Sequence, residues 1–129
     1  AQWNNIEIAK LVDYLYECHA QRGDTGNFRD TVYNSAAEYI WPFHTMGPIK
    51  TGKMVKNKWT WIKGIYNMIE TWRSQSGYHW DDEYGANVQS LSEIALFDEF
   101  VARKGNAPFK NFRINGWPPY TQLREIFPS

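Results

Sequence analysis

One stretch constrains the fold more than any other: Lys50 to Trp72, KTGKMVKNKWTWIKGIYNMIETW. At about 100° per residue, Val55, Trp59, Ile62, Tyr66 and Ile69 fall on one apolar stripe, the signature of an amphipathic helix. Lys53, Lys56, Asn57, Thr60, Lys63, Gly64 and Asn67 fall on the opposite side. Five lysines and no carboxylate lie between His44 and Ile69. Thr51 is placed to cap the helix, which puts the lysines in its first half. Cations there oppose the helix macrodipole and do nothing for folding. A polyanion outside the chain is the simplest compensation, and a solvated lysine face is the alternative.

The remaining chain reads as further helices. Asn4 and Asn5 are candidate caps for a helix from Ile6 to about His19, with Ile8, Leu11, Val12, Leu15 and Cys18 at helical spacing. Gln21 to Gly26 reads as a loop. Asn27 is expected to cap a second helix, from Phe28 to about Tyr39, with Phe28, Val32, Ala36 or Ala37, and Ile40 inward. Pro42 ends it. His44 to Pro48 forms the turn before the basic helix, and Arg73 to Gly77 the stop after it. Ser90 and Glu93 spell a capping box for a fourth helix with Ile94, Phe97 and Val101 buried. The tail from Phe109 to Phe127 is too apolar to stay in solvent, and Pro118-Pro119 opens a last short helix. No run of strands is visible, so the fold class is all-α.

The 129 residues suit one domain with a sizeable core, built from large rings given an aromatic share of 17%. The net charge is zero but segregated: −3 over 1–43, +5 over 44–80, −6 over 81–102 and +4 over 103–129. The single cysteine, Cys18, excludes an intramolecular disulfide and suits a reducing, intracellular compartment. No apolar run reaches membrane-spanning length and no signal peptide is visible. The ends read as the edges of a domain cut from a larger protein.

At Val55-Lys56-Asn57-Lys58-Trp59 with Ile62-Lys63 and Tyr66, at Ser76-Gly77-Tyr78 with Trp80-Asp81-Asp82-Glu83, and at Phe112-Arg113, Tyr120, Leu123 and Phe127, the chain resembles the Myb/SANT-like DNA-binding domain family of plants and fungi. The family often occurs in transposon-related proteins. The resemblance runs from about Trp3 to Phe127. It implies a three-helix helix-turn-helix unit over residues 3–75, with residues 76–129 as a helical extension packed on it within the same domain. It also implies that the third helix reads double-stranded DNA in the nucleus, as a transcription-factor or transposon-derived module without enzymatic activity. Ile94-Ala95-Leu96 stands where the family's fourth helix usually offers a Trp.

The candidate DNA contacts are Lys50, Lys53, Lys56, Asn57, Thr60, Lys63 and Asn67. The lysines are suited to phosphates, and Asn57 and Thr60 to base edges. About five phosphate contacts would give a slope of log K on log salt near −4 to −5. Lys58 is expected to snorkel at the buried edge and Trp61 to pack under the tail. The alternative function is a SANT-type protein-interaction module using the acidic 81–99 region, with its loop Asp81–Glu83, or the aromatic tail. His79 to Glu83 lacks metal-ligand spacing, and its acids read as solvated around a buried Trp80. Arg103, Lys104, Lys110 and Arg113 form a second basic region. Neither a phosphate loop nor a catalytic triad or CxxC motif is present, so no cofactor, metal, membrane or small-molecule substrate is expected.

Overall fold

Asn4 starts the first helix by a reciprocal cap. Its Oδ1 accepts from the Glu7 backbone N–H at 2.7 Å, and Glu7 Oε1 accepts from the Asn4 N–H at 3.0 Å. The computed structural model describes residues 2–19, 27–75 and 78–127. The loop expected at Gln21–Gly26 and the Ser76-Gly77 part of the expected stop lie outside them. The described residues form five α-helices: α1 (Asn5–Glu17), α2 (Asp30–Ile40), α3 (Gly52–Arg73), α4 (Leu91–Ala102) and α5 (Tyr120–Ile126). No strand occurs among them, and one isolated bridge joins Asp81 to Gly85. The protein is therefore all-α.

The chain divides into two units, residues 1–61 with 121–129, and residues 62–120. The dividing point falls inside α3 and not near residue 75. A helix of 22 residues is about 33 Å long, more than one small core can cover.

In the first unit α1 packs on α2. Leu11, Val12 and Leu15 from α1 are buried, with Val32, Tyr33, Ala36, Ala37 and Ile40 from α2. α3 contributes Val55 and Trp59, and α5 contributes Leu123 and Ile126. The Trp59 ring meets Phe28 edge-on at 5.7 Å and stacks on Phe127 at 5.4 Å. Asn27 is not the α2 cap. Phe28 lies outside the helix because its N–H donates to the Tyr33 hydroxyl at 3.0 Å, and α2 starts at Asp30 after Arg29, which makes no side-chain cap. Pro42 then closes α2 through a short 3-10 turn, Trp41–Phe43. The Asn4 amide donates to the Phe43 carbonyl and to Thr45 Oγ1, which ties the start of α1 to the segment before α3.

The second unit is a cluster of rings around Trp72. Tyr78, Phe97, Phe100 and Phe109 lie 4.4 to 5.9 Å from it, and its Nε1 donates to the His79 carbonyl. Ser90 and Glu93 form the expected capping box on α4. The buried face of α4 is Phe97 and Phe100, while Ile94 and Val101 are only half-buried. The rings of Trp72 and Phe109 set that choice, and Phe100 was not among the expected core residues. Residues 83–88 run against 112–116, with the Ala86 N–H on the Phe112 carbonyl and the Gly116 N–H on that of Glu83. Gly85 has φ +69°, and an added Cβ would stand 2.2 Å from the Asn115 carbonyl, so glycine is required there.

Candidate nucleic-acid interface

The first turns of α3 carry the expected polar face. Thr51 Oγ1 accepts from the Met54 N–H at 3.3 Å and caps the helix. Val55 and Trp59 are wholly buried, which fixes the roll of this part of α3. Lys53, Lys56, Asn57 and Thr60 are consequently exposed. The Thr60 hydroxyl donates to the Lys56 carbonyl at 3.2 Å, which leaves its lone pairs and methyl group outward.

Lys53, Lys56 and Asn57 border an open groove of about 480 Å³, whose other lining residues are Asp30, Tyr33, Asn34 and Gly52. The first turns of α2 and α3 thus meet at one groove, and both bring the positive end of a helix dipole to it. The α2 end has no side-chain cap. Gly52 has a definite reason to be glycine: a Cβ would stand 1.8 Å from Asn34 Oδ1. Asn34 and Asn57 are both exposed. Asp30 lies 3.7 Å from the Lys56 ammonium. Both side chains are more than half exposed, so the pair is worth about 0–1 kcal/mol and yields readily to a stronger anion. Asp30, Tyr33 and Asn34 were not among the expected site residues. Asp30 and Asn34 stand four apart on α2, a spacing that places them on one helix face; their nearness to α3 is tertiary.

Lys50 does not belong to this face. It is 4% exposed, with its ammonium 2.9 Å from Glu7 Oε2 and donating to Glu7 Oε1 at 3.1 Å. The ammonium also lies 5.2 Å over the Trp3 ring. It precedes the helix and turns inward, where the α1 capping carboxylate neutralises it. Lys63 and Asn67 fall on the part of α3 assigned to the second unit. Asn67 is exposed, and Lys63 is half-buried, which lowers its pKa from the ordinary lysine value.

Lys58 behaves as a snorkelling residue. Its ammonium lies 3.7 Å over the Trp61 ring and 5.9 Å from that of Trp3, and burial lowers its pKa. The Trp61 indole is 45% exposed and does not lie buried under the tail. Lys58 holds its face, and the tail instead seats Phe127 on Trp59.

In the second unit, Asp81 Oδ1 accepts from the backbone N–H groups of Tyr84 and Glu83, both at 2.8 Å. These bonds hold its carboxyl below the usual carboxylate range. Asp81 shapes the loop, and Asp82 and Glu83 are the exposed acids. Trp80 is half-buried against Phe109, Phe112 and Tyr120. Arg103, Lys104, Lys110 and Arg113 are exposed, and Arg103 lies 3.5 Å from Glu99. Among the described residues, no group of three His, Cys, Asp or Glu could hold a metal ion, and no helix is long and apolar enough to cross a membrane.

Fold and site together define an all-helical protein with a lysine-bearing groove between two helix starts. Comparison with protein families, with curated proteins and with solved structures gave no match.

Proposed function

We propose that the first unit binds double-stranded DNA without catalysing a reaction, with the start of α3 in the major groove. The reading treats α1, α2 and α3 as a helix-turn-helix of the Myb/SANT-like kind. One observation carries it: Lys53 and Lys56 meet two helix N-termini at a single open groove, beside the exposed side chains of Asn34 and Asn57. Lysines in the first turns of a helix are unfavourable until an anion arrives, and phosphates supply the charge. Lys53 and Lys56 position the protein on the backbone. Asn57 and Thr60 face base edges, where an Asn amide pairs with adenine through two hydrogen bonds. This role places the protein in the nucleus, as a transcription-factor or transposon-derived module.

The test is a pair of single variants on matched and scrambled duplexes. Lys56→Ala should weaken every sequence alike, whereas Asn57→Ala should lose about 1–3 kcal/mol of discrimination. Unchanged affinity in both removes α3 as the reader.

A second reading has its own support in the second unit. Asp82, Glu83, Asp98 and Glu99 are exposed, and Leu91, Ile114 and Tyr84 are each at least half exposed. Acids beside apolar side chains suit a protein partner with a basic, apolar surface, and that is the role proposed if DNA does not bind.

A further inference from the structure

The flank of α3 turned away from the groove carries an arrangement that the proposed function leaves unused. The Lys58 ammonium rests on the face of Trp61 and near that of Trp3. Among the described residues it makes no ion pair and no hydrogen bond. Ring faces attract the charge but accept its N–H groups poorly, so those donors stay available to an anion. Trp61 stands four residues after Asn57, one turn further along the same side of the helix, and its indole is almost half exposed.

A helix with side chains is about 10–12 Å across and the major groove about 12 Å wide. A helix seated there turns its centre to the bases and its flanks to the two sugar-phosphate walls. Asn57 and Thr60 lie nearer the centre, and Trp61 and Lys58 lie progressively further round one flank. In an intact duplex the bases are stacked on one another, so the apolar surface left along a wall is deoxyribose. We propose that Lys58 and Trp61 form a backbone clamp, in which the ammonium takes a phosphate and the exposed indole packs on the neighbouring deoxyribose of double-stranded DNA. The clamp rests on the DNA reading and gives it two contacts absent from the expected set. The Lys58–Trp61 contact also sets both side chains before DNA arrives, which reduces the ordering cost of binding.

The experiment measures binding of labelled random-sequence and matched duplexes across a salt series, for wild type, Lys58→Met, Lys58→Arg, Trp61→Ala and the Lys53→Ala/Lys56→Ala double variant. Lys58→Met keeps the stem and should flatten the slope of log K on log salt by about 0.9, with Lys58→Arg restoring it. Trp61→Ala should weaken all sequences by the same factor, roughly three- to tenfold, with the slope unchanged. Thermal melts keep misfolding apart from lost contact, and the Lys58→Arg rescue decides the case if Lys58→Met melts early. Wild-type behaviour of Lys58→Met and Trp61→Ala, with the double variant still weakened, overturns the clamp and leaves the DNA reading intact. Loss of sequence discrimination in Trp61→Ala also overturns it, because the indole would then be reading bases. A wild type that binds no duplex removes the DNA reading and the clamp together.

Discussion

Lys50 and Trp59 show how differently a single side chain can be read from sequence. Trp59 sits on the apolar stripe of α3, and the 3.6-residue period alone predicts its burial. Trp59→Ala removes a ring stacked on Phe127 and edge-on to Phe28, and a denaturant melt should record a loss of about 3–5 kcal/mol. Lys50 lies in a run of lysines with no carboxylate near it in the chain, which reads as solvated or anion-bound. Its partner Glu7 is 43 residues away, and no local pattern links the two. Removing either partner leaves a charge buried alone. Lys50→Met or Glu7→Gln should therefore cost about 3–5 kcal/mol, while the double variant recovers most of the loss. A double-variant cost equal to the sum of the two single costs would mean that the pair is not coupled. The same tertiary contact takes Lys50 off the exposed face of α3.

Helix positions were more legible than helix partners. The caps at Asn4, Thr51 and Ser90 follow from short polar side chains placed just before apolar periods, and each makes the expected bond. The α2 start was not legible, because the Phe28 N–H is taken by a ring hydroxyl five residues on. The same limit hid the α4 face, where Phe100 turns inward to meet Trp72 and Phe109. Tyr120, the first residue of α5, makes a second such long-range link. Its hydroxyl donates to Glu70 Oε1 and accepts from the Arg73 guanidinium, both on the last turns of α3. Burial first, and then the Glu70 hydrogen bond, push its pKa up to about 12 from 10.0. The folded state thus holds the proton more tightly than the unfolded state. The stability that follows is complete below pH 10 and is lost as pH rises from 10 to about 12. Tyr120→Phe should show a smaller alkaline loss than wild type across that window in guanidinium melts. An equal loss in both would assign it to other groups.

Across the whole chain the net charge is zero, so long-range attraction cannot identify a partner and the local distribution of charge must. Legibility divides along the same line. The all-α class and the exposed lysines at the start of α3 follow from composition and period. The groove that makes the face specific does not, because it needs the α2 and α3 starts brought together in space. The division into compact units inside α3 is not legible either, since a period cannot show that one long helix serves two clusters of buried side chains. The central claim is that the lysines at the groove bind DNA phosphates. The most direct measurement is the salt dependence of binding to a random-sequence duplex, for wild type and the Lys53→Ala/Lys56→Ala variant. Wild-type affinity should fall steeply with salt, and the variant should melt normally with a slope shallower by about 1.8. An identical slope in a folded variant, or no binding by wild type at low salt, would contradict that claim.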